Sequence, residues 1–140
     1  MAITSNATAT WKGDLGTGSG TASLGSGSSF DMTWKARAEQ GGGSTPEELI
    51  AGAHASCFSM ALSNTLAEAG HTADSLETAA KVSFVAGTGI TTSVLSVTGR
   101  VPGIDQAQFQ DYAEQAKAGC PVSQALAGVD IQLESATLEG

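Results

Sequence analysis

An α+β fold is predicted by three patterns met in order along the chain. Alternating β-rich runs come first, then one long helical segment that is small and apolar on nearly every side. A β-hairpin, further helices and a closing strand follow. With 140 residues, the chain is expected to form a single domain over 1–140 that buries a sizeable core.

The first run, "ATATWKGD", and a later one, "SSFDMTWKARAE", both alternate as strands do. The Gly- and Ser-rich "LGTGSGTASLGSGS" between them suits turns around one more short strand. Gly16, Gly18 and Gly20 superficially resemble a phosphate loop. No helix is expected after them, so the dipole and amide groups that make such loops work are missing. No internal repeat is visible.

The stretch "GGGSTPEELIAGAHASCFSMALSNTLAEAGHT" reads as a long helix. Thr45 is placed to cap it, Pro46 suits the first helical position, and Glu48 completes a capping box. Glu47 and Glu48 also favour the positive end of the helix dipole, and Gly70 is the natural stop. No charge lies between Glu48 and Glu68. A helix apolar on every side is expected to be covered from more than one direction.

"LETAAKVSFVAG" and "ITTSVLSVTGRV" form the predicted hairpin, joined around Gly87 and Gly89 and ended by Pro102 and Gly103. "DQAQFQDYAEQAKAG" is a second helix with Asp105 as its cap and Phe109, Tyr112, Ala113 and Ala116 as its inner stripe. "CPVSQALAG" gives a short third helix with Pro121 at its first position, and "VDIQLESATLE" a last alternating strand.

Six Lys and Arg stand against fourteen Asp and Glu, a formal charge of −8. That balance argues against a nucleic-acid partner, which wants a basic patch. No apolar run reaches the roughly 18 residues of a membrane span, and the N-terminus lacks a signal-peptide pattern, so a cytoplasmic location with no membrane partner is expected. Thiols are normally kept reduced there. Two cysteines then read as a catalytic or redox pair, or alternatively as two unrelated buried thiols.

Cys57 and Cys120 are the only cysteines, accompanied by two His and two Arg. Cys120 stands at the start of the third helix, where unpaired N–H groups favour a thiolate. Cys57 lies about three turns into its own helix, in surroundings that raise a thiol pKa unless a cation is near. Arg37 in "WKARAE", read as the end of the third strand, and Arg100 in "TGRVPG" are both candidates for that cation or plain strand-end charges. Glu47 or Glu48 could hold an arginine by a bidentate pair, the bland alternative being helix capping. His54, three residues before Cys57, could complete a zinc site with the two thiols or be a packed, hydrogen-bonded side chain.

"TPEELIAGAHASCFSMALSNTLAEAGHT", "VPGID", "AKAGCPVSQAL" and the early "WKGD" resemble the family of osmotically inducible protein C and the organic hydroperoxide resistance proteins, over most of the chain. The detailed match is to the osmotically inducible branch. The resemblance implies an OsmC-like fold of antiparallel sheets around long buried central helices, assembled as an intertwined homodimer. It also implies a thiol peroxidase that reduces organic hydroperoxides without metal, haem or other cofactor. Carried over by position, Cys57 is the peroxidatic thiol, Cys120 the resolving thiol, Arg37 the arginine that holds the thiolate, and Glu47 the residue that orients Arg37. The implied reductant is a dihydrolipoyl-type dithiol. The apolar Phe58, Met60 and Ile50 would favour an alkyl hydroperoxide over a small hydrated one.

On one straight helix, the ten residues between Glu47 and Cys57 span about 15 Å. An arginine held by Glu47 would then reach the thiol of its own chain only if the first turn were unwound or the side chain fully stretched, and otherwise would complete the site of another subunit. The competing expectation is a redox sensor or small-hydrophobe binding protein whose cysteine pair reacts once and does not turn over.

Overall fold

The N-terminal alternation forms β1 (Ala7–Lys12), β2 (Ser19–Leu24) and β3 (Ser29–Met32), an antiparallel sheet in the order β1-β2-β3. In this computed structural model, which describes residues 1–39 and 41–140, the chain divides into two compact units, Met1–Leu49 and Ile50–Gly140. A strand, β2, follows the Gly16–Gly18 turn, as expected for a hairpin rather than a phosphate loop. Asp14 shapes that turn by accepting from the backbone and hydroxyl of Thr17 at 2.7 and 2.9 Å.

The third alternating run ends earlier than its pattern suggests. Trp34–Ala38 is a short helix, α1, capped by Thr33, whose hydroxyl accepts from the Ala36 N–H at 3.1 Å. Arg37 therefore sits on a helix and not at a strand end. Trp-Lys-Ala-Arg-Ala alternates apolar and polar like a strand, but the Thr cap and helix-favouring Lys, Ala and Arg outweigh the alternation. Gly42 packs against this helix so closely that a Cβ there would lie 2.9 Å from the Ala36 Cα. Ala36 and Glu47 are the only described residues of this unit classed as buried, and β1 is exposed along its whole length.

The long helix α2 (Pro46–Glu68) begins in the first unit and continues in the second. At its start the Glu48 N–H donates to the Thr45 hydroxyl at 3.0 Å. At its end Gly70 adopts φ +87°, and the N–H groups of Gly70 and His71 return to the carbonyls of Ala67 and Leu66. This is the paired bond pattern of a glycine C-terminal stop. Within a single chain only one stripe of α2 is fully buried: His54, Phe58, Leu62 and Leu66, spaced by four. The opposite face, including Gly52, Ala53, Ser56 and Met60, is exposed, so one chain does not supply the all-round cover that the helix's composition calls for.

The second unit holds β4 (Ser75–Val85), β5 (Gly89–Arg100), α3 (Gln106–Gly119), α4 (Pro121–Ala125) and β6 (Asp130–Leu138). β4 and β5 pair antiparallel, whereas β6 pairs parallel to β5. The sheets are therefore not wholly antiparallel. The chain returns through α3 and α4 between β5 and β6, and a helical crossover of that length permits the parallel return. Asp105 caps α3 in a complete capping box with Gln108. Phe58, Leu62 and Leu66 of α2 join Leu95 and Val97 of β5, Phe109, Ala113 and Ala116 of α3 and Ala136 of β6 in one core. Each large apolar side chain there contributes about 1.5–3 kcal/mol by leaving water.

Candidate functional site

In the first unit Glu47, the second residue of α2, is almost fully buried, and its carboxylate binds Arg37. Arg37 Nε donates to Glu47 Oε1 at 2.9 Å, and Nη2 lies 2.8 Å from the same oxygen. The Arg37 side chain keeps 30% of its surface exposed against 7% for Glu47. The guanidinium is thus anchored at one edge while part of it remains accessible. Glu48, one residue on, points its backbone to the cap and is exposed, so of the two glutamates it is Glu47 that holds the arginine.

In the second unit α2 carries Cys57 and the start of α4 carries Cys120. Both are free thiols, Cys57 half-buried and Cys120 wholly buried. The two thiols lie side by side and influence each other's ionisation, and the Val122 backbone N–H favours the charged form of both. Burial pushes the Cys57 thiol up, and the neighbouring Cys120 adds to the rise. Burial also opposes ionisation of Cys120, but the neighbouring polar groups of Cys57, Ser123 and Val122 outweigh it and bring its pKa down. The first-turn amides of α4 act as expected on a residue at that position. Within these surroundings Cys120 is the more acidic thiol.

His54 is completely buried one turn before Cys57. Its Nδ1 lies 2.7 Å from the Ser93 hydroxyl on β5, and its Nε2 lies 2.8 Å from the Ser123 hydroxyl on α4. Burial lowers its pKa from 6.5, favouring the neutral ring. Both ring nitrogens are engaged by serines, so His54 is the packed, hydrogen-bonded side chain of the two readings. Ser93 and Ser123 were not legible as site residues, being 39 and 69 positions from His54. The available signal was polarity in apolar registers: Ser93 shares the inward face of β5 with Leu95 and Val97, as His54 shares the inward stripe of α2.

The remaining candidates fall in different places. Phe58 belongs to the core with no exposed surface, so in a single chain it offers nothing to a ligand. Met60 is 70% exposed and Ile50 half-buried. Arg100 pairs with Glu139 at 3.1 Å on the surface, joining the end of β5 to the segment after β6. His71 lies against Tyr112, with ring centroids 6.3 Å apart. Among the described residues no helix is long and apolar enough to cross a membrane.

Two neighbouring thiols, one half-buried and one buried, on an α+β scaffold define a two-cysteine redox class of site. The chain belongs to the OsmC-like protein family, whose profile matches residues 39–134. Peroxiredoxin OsmC of Escherichia coli (strain K12) is 46% identical over 143 residues, covering 96% of this chain and all of its own length. Among solved structures, the organic hydroperoxide resistance protein OhrB of Bacillus subtilis is 25% identical with a TM-score of 0.63, covering 96% of this chain and 98% of its own. An organic hydroperoxide resistance protein of Elizabethkingia anophelis shares the fold with a TM-score of 0.74 at 23% identity, covering 99% of both chains.

Proposed function

We propose that this protein is a thiol peroxidase that reduces organic hydroperoxides to alcohols, with Cys57 as peroxidatic and Cys120 as resolving thiol. The observation that carries the reading is that the two thiols, one half-buried and one buried, lie close enough to shift each other's ionisation. The Cys57 thiolate attacks the distal peroxide oxygen, the O–O bond breaks, and the alkoxide takes a proton to leave as alcohol. Cys57 becomes a sulfenic acid. The Cys120 sulfur then attacks it, forming the disulfide, and the hydroxyl leaves as water with the Cys120 proton. A dithiol of dihydrolipoyl type returns both residues to thiols and is itself oxidised to a disulfide. The exposures fit these roles, since the thiol that meets substrate is the more accessible one.

Cys57 needs a cation, because burial and its neighbour both raise its pKa. Arg37, anchored by Glu47, supplies it, and the chain acts as a homodimer in which these residues serve the Cys57 of the partner. Two features support the dimer. The exposed face of α2 is small and apolar, and the first unit buries little within one chain. A three-stranded sheet needs a covered face to be stable. Each chain, 1–140, works as one OsmC-like domain in the cytoplasm, and Met60 and Ile50 give the apolar surface that favours alkyl hydroperoxides.

Steady-state consumption of tert-butyl hydroperoxide with dihydrolipoamide tests the reading. Turnover is expected in the native protein and none in Cys57→Ser. Cys120→Ser reacts once and stalls as sulfenic acid. A native protein that reacts once without turnover would instead be a sensor or binding protein.

A further inference from the structure

The thiol chemistry uses Cys57 and Cys120, yet one turn before Cys57 lies a completely buried polar side chain, His54. It lies in a row of hydrogen bonds, Ser93 hydroxyl, His54 Nδ1, His54 Nε2, Ser123 hydroxyl, and the Ser123 hydroxyl in turn favours the ionised Cys120 sulfur three residues before it. Three elements contribute, β5, α2 and α4. We propose that His54 is a positioning residue that, held by Ser93, presents an Nε2–H to Ser123 and so turns the Ser123 proton toward the Cys120 sulfur, readying that sulfur to attack the Cys57 sulfenic acid. The proposal rests on the assignment of Cys120 as resolving thiol.

Counting protons gives the reason. A neutral imidazole has one N–H and a serine one O–H. If Nε2 were the acceptor, Ser123 would spend its only proton on the ring, and a Cys120 thiolate would face an oxygen lone pair. If Ser93 donates to Nδ1, the ring proton sits on Nε2 and donates to the Ser123 oxygen. The Ser123 O–H is then free to donate to sulfur, beside the backbone N–H groups of Val122 and Ser123. In the attack, the Cys120 proton goes to the departing hydroxyl of Cys57, giving water, and no proton need lodge on His54.

The surroundings support a neutral ring. Residues 49–67 of α2, residues 89–99 of β5 and all of α4 contain no Asp, Glu, Lys or Arg. On the neighbouring strands, Lys81 pairs with Val94 and Asp130 with Thr92, one position off Ser93 and so on the other face of the sheet, while Val82 and Ile131 flank Ser93; at the end of α3 Lys117 is paired with Glu114 at 3.7 Å. Burial lowers the His54 pKa, which keeps its single proton available for this placement.

The test separates the two oxidation steps. After one equivalent of tert-butyl hydroperoxide, sulfenic acid formation at Cys57 and disulfide formation are timed by rapid quench in Ser123→Ala, His54→Asn and His54→Gln. The Gln amide can reach the Nε2 position and the Asn amide cannot. Ser123→Ala and His54→Asn are expected to slow disulfide formation about tenfold, the order of one lost hydrogen bond to a charged sulfur, with the oxidation of Cys57 much less affected. His54→Gln should restore most of the rate. In a Cys57→Ser background, the pH profile of Cys120 alkylation by iodoacetamide should move upward when Ser123→Ala is added. If a His54 variant fails to fold, 15N shifts of the native His54 still report the tautomer. An Nδ1–H tautomer would overturn the proposal, as would disulfide formation and a Cys120 profile unchanged by Ser123→Ala. Failure of Cys57 to oxidise at all would instead refute the peroxidase reading, while the Cys120 profile and the tautomer still decide this one.

Discussion

Replacing Glu47 by Gln keeps its size and removes the charge that anchors Arg37. The carboxylate is 7% exposed and receives two guanidinium nitrogens at 2.8 and 2.9 Å. Loss of one partner from a well-buried ion pair costs about 3–5 kcal/mol. Here the arginine is 30% exposed, and water recovers part of that, so about 1.5–3 kcal/mol is the appropriate range for a hydrogen-bonded charge. If that energy is what holds the guanidinium in place to stabilise the Cys57 thiolate, kcat/KM for tert-butyl hydroperoxide falls about 10- to 150-fold. The alkylation pKa of Cys57 rises in parallel. The assay is stopped-flow oxidation of the reduced protein together with a pH profile of iodoacetamide labelling. A folded Glu47→Gln protein with kcat/KM within twofold of native and an unmoved Cys57 profile would refute the role given to this pair.

Two further outcomes are expected. Mixed dimers of Cys57→Ser and Arg37→Ala chains should recover part of the activity that either homodimer lacks, since one of the two sites then has both an intact thiol and the partner's intact arginine. No recovery in verified mixed dimers would place the arginine in its own subunit. His54, with its folded pKa below 6.5, makes stability depend on pH in a definite direction. Between that lowered value and 6.5 the unfolded chain binds a proton that the folded chain refuses. Stability conferred by this residue therefore falls as pH drops below about 6.5, at up to about 1.4 kcal/mol per pH unit, and levels off beneath the folded pKa. Urea unfolding between pH 7 and 5 reads this, and His54→Gln should remove that part of the slope.

The local signals were legible wherever one residue type acts on its neighbours. Thr45 and Pro46 mark the start of α2, Gly70 its end, and Asp105 the start of α3, because caps depend on residues a few positions apart. The short helix around Arg37 was hidden by an apolar-polar alternation that suits a strand equally well. The parallel return of β6 was hidden for another reason: strand direction is set by the crossover and not by the strand's own residues. The site divides along the same line. The resemblance put Arg37 with Glu47 and Cys57 with Cys120, whereas the serines on His54 come from distant strands and helices that only the folded chain brings together. Phe58 shows the converse, an apolar neighbour of the thiol whose place is the core.

The two sulfurs are most directly tested together. Fully reduced protein treated with one equivalent of tert-butyl hydroperoxide should lose the mass of two hydrogen atoms and yield a peptide crosslinked between Cys57 and Cys120, with one equivalent of tert-butanol released. Both thiols still titratable with the peroxide unconsumed, or an oxygen atom retained on Cys57 with Cys120 still free, would contradict it.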